Sequence, residues 1–227
     1  MAVKVIDIKL ESLTVKEYGA AAGANLVGIA SAEDFGSAPE GFKPSYLLEG
    51  CRSVIVLGAS FSKGVLGDAA EYTASRNAML TKMTEIAKAV AKRVKAHGYN
   101  VKAISASGGK TIDGKLFGHI SLKHAAELAG LGHIGRNYLL TNRDYGNLIW
   151  LSAVLTDAQL FPDGQAEKTI CTGCGKCVEA CPSGALNDPA AFGKKECSKF
   201  FVIEDRKFKI KCFLCRTICP YGQGSGI

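Results

Sequence analysis

Apolar residues recur at helical spacing through the middle of the N-terminal half, where they predict one long amphipathic helix over residues 71–97. The apolar positions, three or four residues apart, are Met79, Met83, Ile86, Val90 and Val94. Basic residues fill the last turns of this segment, and Gly98 follows where a C-terminal cap belongs.

Short continuous apolar runs predict buried strands elsewhere in this half. The runs cover residues 25–30, 53–58, 101–105 and 148–156. Thr14 and Glu17 fit a capping box, so a first helix is predicted from Thr14 to Gly23, and another helix is predicted over residues 121–129. Because helices and strands alternate, the fold class is predicted to be α/β, with helices layered on a sheet.

A Gly-rich stretch, residues 106–118, separates the third predicted strand from the following helix and is predicted to be an irregular loop. Loops of this length are uncommon in compact domains and are more often functional than idle. We therefore expect functional side chains in this loop or beside it.

The composition is that of a globular protein. Of the 227 residues, 47% are hydrophobic and 22% are charged, which excludes extensive intrinsic disorder. No uninterrupted apolar run approaches the roughly 18 residues of a membrane-spanning helix, so no membrane is expected as a partner. The N-terminus meets charge at once and develops no apolar signal region, which predicts a cytoplasmic protein.

The cysteines are distributed very unevenly. Eight of the nine lie after residue 163, and only Cys51 precedes them. Turn residues at 161–164 mark the seam, so two domains are predicted, residues 1–162 and residues 163–227. Cys51 precedes a buried strand and is expected to be a small core residue. The other cysteines stand at short regular spacings in a chain without an export signal, which indicates metal ligands rather than disulfides.

Two cysteine runs in the second domain have the spacing of ferredoxins. The first run is Cys171, Cys174, Cys177 and Cys181, followed by Pro182. The second run is Cys212, Cys215, Cys219 and Pro220, which repeats the pattern without its first member. Cys197 is the nearby cysteine that can supply that member. In two-cluster ferredoxins the fourth cysteine of each run binds the other cluster. The pattern therefore predicts two 4Fe-4S clusters, one on Cys171, Cys174, Cys177 and Cys219 and one on Cys181, Cys197, Cys212 and Cys215.

The alternative for these cysteines is a pair of zinc sites, because paired Cys-x-x-Cys elements also suit tetrahedral zinc. Zinc sites usually take two separated pairs per ion, whereas here one run packs four cysteines before a proline and the second run repeats it. The spacing therefore favours iron–sulfur clusters. Two oxidised clusters with their ligands would lower the formal net charge from +7 to about +3, so nucleic acid is not an expected partner.

Residues 130–135, Gly-Leu-Gly-His-Ile-Gly, match the dinucleotide-binding fingerprint letter for letter. That fingerprint has meaning only between a strand and a helix, and here a helix precedes it. A nicotinamide site is therefore not predicted. The glycines still indicate a place where the backbone comes close to something, either another part of the protein or a flat cofactor.

The same glycine motif carries a resemblance to a known family. The segments that carry this resemblance are Ala129–Asn137, Leu139-Leu140, Tyr145-Gly146 and Leu155-Thr156-Asp157, followed by the eight-cysteine tail. Together they resemble the epoxyqueuosine reductases and their relatives, the corrinoid reductive dehalogenases. Val27-Gly28-Ile29 and Val54–Leu57 are similar to the same family, and the resemblance extends over most of the chain.

The resemblance implies a nitroreductase-like α/β domain that binds cobalamin, beside a small ferredoxin-like domain with two 4Fe-4S clusters. Electrons would pass through the clusters to the corrinoid, which reduces a small organic substrate; flavin is the alternative cofactor. The residues implied on the cofactor side are Lys123, Gly130, Gly132, His133, Gly135 and Asn137. Reduced ferredoxin or flavodoxin is the expected electron donor, steered by the basic residues Arg206, Lys207, Lys209 and Lys211.

The chain departs from the family at the proton donor. In epoxyqueuosine reductases an aspartate lies a fixed distance before the Ala-Gly-Leu-Gly motif, and that distance here reaches Leu116. Asp113 and His119 are the nearest replacements, and the phenol of Tyr145 is a third candidate general acid. The C-terminal helical-repeat extension of tRNA-acting members and the export signal of respiratory dehalogenases are also not matched.

Two functional hypotheses follow. The first is an iron–sulfur oxidoreductase that reduces a small organic substrate through its corrinoid or flavin. The second is an electron-transfer or reductive-activator protein that reduces a partner, for example a corrinoid protein, without substrate chemistry of its own. The Leu at position 116 favours the second hypothesis, and the retained 130–137 loop favours the first.

Overall fold

The computed structural model describes residues 10–38, 41–107, 109–112, 115–165, 170–204, 207–222 and 224. The helices are α1 (Ser12–Ala21), α2 (Ala69–Ala96), α3 (Leu122–Leu128), α4 (Lys176–Glu179), α5 (Lys194–Ser198) and α6 (Leu214–Thr217). The strands are β1 (Leu26–Ser31), β2 (Ser53–Ser60), β3 (Val101–Ile104), β4 (Lys110–Ile112), β5 (Lys115–Phe117), β6 (His133–Ile134), β7 (Leu140–Thr141), β8 (Ile149–Thr156), β9 (Phe201–Glu204) and β10 (Lys207–Ile210). Short 3-10 helices lie at Ala32–Ser37, Pro44–Tyr46 and Lys63–Gly67.

The N-terminal part is built on a four-stranded antiparallel sheet in the order β1-β2-β8-β3. Ile55 of β2 lies opposite Ile29 of β1 on one side and opposite Val154 of β8 on the other. Both inner strands are buried over nearly their whole length, because helices cover both faces of the sheet. The predicted α/β class is confirmed.

The two faces of the sheet bury two separate cores. Successive residues of a strand point to opposite faces, so Ile55 and Leu57 pack toward α1 and α2, whereas Val54 and Val56 pack toward α3. Met83 of α2 is fully buried in the first core. The result is a three-layer arrangement of helix, sheet and helix.

Helix α2 confirms the prediction from the apolar period. Its start is fixed by Asp68, whose carboxylate accepts hydrogen bonds from the backbone N–H of Ala70 at 2.8 Å and of Glu71 at 2.9 Å. Every position of the predicted apolar stripe is buried against the sheet. The helix ends at Ala96, and Gly98 adopts a φ of +88°, as expected for a residue that terminates a helix.

The predicted start of α1 at a Thr14 cap is wrong. The helix begins at Ser12, where the hydroxyl accepts a hydrogen bond from the Phe161 N–H at 2.7 Å and donates one to the Phe161 carbonyl at 3.2 Å. A contact with a residue distant in sequence therefore fixes the first turn, and this overrides the local capping signal.

The predicted irregular loop at 106–118 is also only partly correct. Strands β4 and β5 pair antiparallel within it, with Thr111 opposite Leu116, so the stretch contains a small hairpin. Asp113 lies outside the described residues.

The seam between the two parts is anchored to the first part. The Asp163 carboxylate accepts a hydrogen bond from the Ile29 N–H at 2.9 Å and pairs with the ammonium of Lys16. The Asp163 N–H in turn donates to the Ile29 carbonyl at 2.9 Å. The chain therefore keeps its contacts with the α/β layers just past the predicted boundary.

The second part packs against the N-terminal end of α2. The Ile210 N–H at the end of the β9–β10 hairpin donates to the Thr73 hydroxyl at 3.0 Å, and Ile210 is buried beside Tyr72. The ring of Tyr72 also stacks on Phe213, with ring centroids 4.6 Å apart. Within the described ranges, no helix has the length and apolar character needed to cross a membrane.

Candidate functional site

One group of four cysteines lines a shared cavity at the surface of the second part. Cys171, Cys174, Cys177 and Cys219 contribute to its wall, together with Arg136, Lys176 and Tyr221. Gly173 and Gly175, with φ values of +71° and +78°, turn the loop before α4 in a conformation that L side chains rarely adopt. Cys174 is exposed and Cys177 is buried, so this group reaches from the interior to solvent.

The thiols of this first group are electrostatic neighbours. Burial raises the pKa of Cys177, and the thiols of Cys219, Cys171 and Cys174 raise it further. Burial likewise raises the pKa of Cys219, with added repulsion from Cys171 and Cys174. Neighbouring thiols whose negative forms repel one another are suited to a cationic metal centre, which converts them to thiolate ligands.

A second group of four cysteines, all half-buried, interacts electrostatically around Cys215. Burial raises the pKa of Cys215 to about 11, a shift that Arg216 opposes and that the thiols of the other members reinforce. The members that interact with it are Cys197, Cys212 and Cys181. Cys181 differs from the others: burial would raise its pKa, but hydrogen bonds from the Ser183 side chain and from backbone N–H groups lower it.

The two groups have the same members as the two ligand sets predicted from the spacing, and their binding of clusters stays a prediction. The thiol–thiol interactions that shift these pKa values stay within each set. Cys219 follows Cys215 by one helical turn, yet it interacts with the first run. In the part of the chain that the structure describes, no three or more His, Cys, Asp and Glu side chains form a site for a single metal ion.

The glycines of the 130–137 loop are explained by close backbone packing. Gly132 has a φ of +144°, and a Cβ at this position would collide with the Thr141 carbonyl oxygen. Gly130 has a φ of +73°, and its Cβ would lie 2.9 Å from the Gly164 carbonyl oxygen. A Cβ on Gly135 would lie 3.2 Å from the Thr141 hydroxyl. Contacts within the protein therefore account for these glycines, and their contact with a cofactor stays a prediction.

The next two residues of the loop connect the two cysteine groups to the α/β part. The Arg136 N–H donates to the Cys171 sulfur at 3.4 Å. The Asn137 side-chain amide donates to the Cys215 carbonyl at 3.1 Å and accepts from the Leu139 N–H at 3.1 Å. Adjacent residues of one loop thus contact one member of each cysteine group.

Replacing Asn137 by alanine is expected to loosen this connection. The side chain is 5% exposed, so its loss leaves the Cys215 carbonyl and the Leu139 N–H without these partners, at a cost of about 1–3 kcal/mol. Denaturant unfolding under anaerobic conditions measures the change. Asn77→Ala on the exposed side of α2 is the matched control and should change the free energy of unfolding by less than about 0.5 kcal/mol. An unchanged Asn137→Ala protein would contradict this role.

Lys123 lies beside the second cysteine group. Burial lowers the pKa of its ammonium, and repulsion from Arg216 and Lys194 lowers it further, whereas Cys215 acts in the opposite direction. The ammonium donates a hydrogen bond to the carbonyl of Tyr138, the one non-glycine with positive φ among the described residues. The side chain therefore lies where the two parts meet, and its contact with a cofactor stays a prediction.

The candidate general acids are not brought into one cluster by any contact seen among the described residues. His119 is half-buried, and its Nδ1 is buried without a hydrogen-bond partner in the described part of the protein. His133, which the resemblance implies on the cofactor side and not as a general acid, is 6% exposed and likewise has no partner at Nδ1 among those residues. Tyr145 packs its ring against the second core.

Arg216 is the residue at this site that sequence reasoning missed. It stands between Cys215 and Cys219, and only 7% of it is exposed. From the sequence, a charged residue inside a cysteine run is expected to be exposed to solvent. The spacing of the cysteines does not indicate which surface of the protein the run packs against. The signal that could have drawn attention to it is its position directly beside a predicted ligand.

Comparison with known families identifies the second part. Residues 170–223 match the family model described as a 4Fe-4S dicluster domain. The last quarter of the chain is a 4Fe-4S dicluster domain. All eight clustered cysteines fall within this match, so the iron–sulfur interpretation is confirmed over the zinc alternative.

The chain also has curated relatives. Over 118 residues it is 32% identical to epoxyqueuosine reductase from Bacillus subtilis, covering 47% of this chain and 30% of that relative. Over 107 residues it is 34% identical to epoxyqueuosine reductase from Synechococcus sp., covering 43% and 33% respectively. The chain spans about a third of the length of the curated relatives that it matches.

Solved structures show that the resemblance of fold extends over nearly the whole chain. An epoxyqueuosine reductase from Bacillus subtilis with its catalytic loop swung out of the active site matches with a TM-score of 0.68 and 20% identity, over 95% of this chain and 66% of that one. An epoxyqueuosine reductase with a modified tRNA stem loop gives 0.66 and 20% identity, over 92% and 64%. A reductive dehalogenase described as B12-dependent gives 0.71 and 20% identity, over 94% and 32%. The predicted resemblance to both families and the fold class are confirmed; flavin has no support from these relatives.

Proposed function

We propose that this protein is an iron–sulfur reductase in which the dicluster domain delivers single electrons to a corrinoid held by the α/β part, for reduction of a small organic substrate. The observation that carries the proposal is the docking of both cysteine groups on one loop of the α/β part, through Arg136 and Asn137. The fold shared with a B12-dependent dehalogenase supports cobalamin as the corrinoid.

The proposed ligands follow the two groups in space. The first cluster takes Cys171, Cys174, Cys177 and Cys219, and the second takes Cys181, Cys197, Cys212 and Cys215. When bound, such clusters accept and release one electron at a time. The protein's own contribution is to hold the eight thiols, to exclude water from the buried ones, and to fix the distance between the groups through α6, which carries Cys215 and is followed by Cys219.

The surroundings of the two groups suggest the direction of electron flow. Electrons would arrive at the first group, where Cys174 is exposed and where Arg136 and Lys176 make the cavity wall positive. These cations suit an acidic carrier such as reduced ferredoxin or flavodoxin. Electrons would leave from the second group, where Cys215 lies beside the half-buried Lys123 of α3.

The electron donor is therefore expected to bind at the first cysteine group and not at the C-terminal basic residues. Lys209 and Lys211 both pair with the Glu204 carboxylate, at 3.0 and 2.8 Å, which offsets part of their charge. Arg206 lies outside the described residues. We expect Lys176→Gln to slow reduction by flavodoxin several-fold at low salt, because it removes a cation beside the exposed cysteine. Lys88→Gln on α2 is the control, and an equal effect of both changes would contradict the assignment.

Proton delivery is proposed for the side chain of His119. It follows the β4–β5 hairpin, and its Nδ1 has no hydrogen bond among the described residues, so it can exchange a proton without breaking an existing contact. Asp113 and Tyr145 stay as the alternatives predicted from the sequence.

The decisive test of the proposed function is cofactor binding by protein purified without oxygen. We expect about eight irons per chain and a shifted visible spectrum when one equivalent of cobalamin is added. Flavin mononucleotide, added separately, should leave the spectrum as the sum of the two components. Intact clusters without cobalamin binding would contradict the proposal and support the second hypothesis, an electron-transfer or activator protein, which the leucine at position 116 favours.

Nucleic acid is a further outcome to be measured, because one structural neighbour was solved with a tRNA stem loop. The modest net charge predicts weak association with tRNA even at low salt, where phosphate contacts are strongest. Tight binding with a steep salt dependence would overturn that expectation and extend the substrate class to tRNA.

A further inference from the structure

Arg216 brings a buried positive charge from the dicluster domain into the α/β part. Its side chain is 7% exposed, although it follows Cys215 directly in α6. The guanidinium Nε donates to the Tyr72 hydroxyl at 3.1 Å, and Nη1 donates to the Asn147 carbonyl. The position of this charge is therefore fixed by residues of the other part of the protein.

Two aromatic rings complete the surroundings of this guanidinium. The centroid of the Phe61 ring lies 5.4 Å from the Arg216 Cζ, and the centroid of the Trp150 ring lies 5.5 Å from it. Both distances are within the range of cation–π attraction. A planar guanidinium can donate hydrogen bonds and stack on rings at once, which a lysine ammonium does less well.

No carboxylate in the described part of the protein pairs with this charge. A buried charge without an opposite charge is costly, so charges of this kind are normally paired or placed beside a metal centre. The guanidinium instead favours the negative form of its chain neighbour Cys215, and this opposes the rise that burial causes in the pKa of that thiol.

We propose that Arg216 is a positioning residue that raises the reduction potential of the cluster held by Cys181, Cys197, Cys212 and Cys215. Reduction would add one electron from a reduced ferredoxin or flavodoxin and would take the cluster with its four thiolates from a charge of about −2 to about −3. A fixed buried cation stabilises the more negative form more strongly, because the protein interior screens charge weakly. The second cluster is therefore reduced more readily than it would be without Arg216.

The proposed effect of Arg216 on the second cluster is independent of the corrinoid. It rests on the dicluster domain, which the family match identifies, and on the proposed ligand sets. If cobalamin does not bind, the proposed reductase function is wrong. Arg216 would still raise the reduction potential of the second cluster. A failure of one proposal is therefore distinguishable from a failure of the other.

The test is a redox titration of anaerobic holoprotein followed by electron paramagnetic resonance. At a fixed solution potential, Arg216→Gln is expected to lower the ratio of reduced to oxidised second cluster about tenfold, which is about 59 mV for one electron. The first cluster should change less than threefold. Arg216→Lys, which keeps the charge, should stay within threefold of the unmodified protein. The second cluster is assigned as the one that remains in Cys219→Ala protein.

Arg93→Gln is the matched control. Arg93 also stacks on an aromatic ring, that of Tyr18 at 4.9 Å, but it lies 21 residues further along α2 than Tyr72, or about 30 Å away. Its replacement should leave both potentials unchanged.

Two results would overturn the inference: equal shifts of both clusters in Arg216→Gln, or no shift with about eight irons retained. If Arg216→Gln loses iron, Tyr72→Phe decides, because it removes only the hydrogen bond to Nε and leaves the charge less firmly placed. A shift of at least twofold, confined to the second cluster, would support the inference, and an unchanged ratio would overturn it.

Discussion

Cys219→Ala is expected to abolish the cluster of Cys171, Cys174 and Cys177, which lie more than forty residues earlier, and to spare the cluster of its neighbour Cys215. The reason is geometric, because the Cys219 thiol lines the cavity of the first group and interacts with Cys171 and Cys174. Iron content should fall from about eight to about four per chain. The remaining cluster should keep its paramagnetic resonance signal.

Two further variants serve as comparisons for the loss of iron in Cys219→Ala protein. Cys181→Ala should remove the other cluster, since Cys181 interacts with Cys197 and Cys215 although it is the last member of the first run. Cys51→Ser should retain about eight irons, because Cys51 packs beside the second core and its thiol contacts the Ser53 carbonyl. Loss of the same cluster in Cys219→Ala and in Cys215→Ala would contradict the crossed assignment.

Gly132→Ala is expected to destabilise the holoprotein by on the order of 3 kcal/mol. The residue has a φ of +144°, which disfavours alanine, and the new Cβ would collide with the Thr141 carbonyl oxygen. The atoms nearest the new Cβ belong to the backbone of Thr141 and Asn142, so they cannot rotate away as a flexible side chain would. Because Arg136 and Asn137 follow in the same loop, the docking of both cysteine groups should weaken as well.

Denaturant unfolding and the rate of iron release to a chelator measure the two consequences of Gly132→Ala. Gly67→Ala is the matched control, since Gly67 has no atom within 4 Å of its Cβ position and no positive φ. It should change stability by less than about 0.5 kcal/mol. If Gly132→Ala were as stable as this control, close backbone packing could not explain the glycine motif.

The sequence predicted those elements whose signal is local or periodic. Helix α2 and strand β8 follow from apolar spacing, and the grouping of eight cysteines follows from the ferredoxin pattern. The start of α1 could not be predicted, because the Phe161 backbone that holds Ser12 lies 149 residues away. The hairpin in residues 106–118 was missed because its strands are only three residues long, too short for alternation to show.

In the functional site, too, some features follow from the sequence pattern and others are determined only by the fold. Spacing grouped the thiols, but it could not tell whether the glycines of the 130–135 motif approach a cofactor or the protein's own backbone. Only the fold places Gly132 against Thr141. The burial of Arg216 is likewise a product of docking, because its partners Tyr72 and Asn147 belong to the other part of the chain. Side chains that connect the two parts carry no signature in either part alone.

Electron transfer from the clusters to bound cobalamin tests the central claim most directly. Holoprotein with one equivalent of cobalamin is mixed with reduced flavodoxin in the absence of oxygen, and the visible spectrum of the corrinoid is followed. We expect bound cobalamin to be reduced at least ten times faster than free cobalamin, and we expect this advantage to be lost in Cys215→Ala protein but kept in Cys51→Ser protein. Equal rates for the unmodified protein, Cys215→Ala protein and free cobalamin would contradict the claim that the clusters feed a corrinoid in this protein.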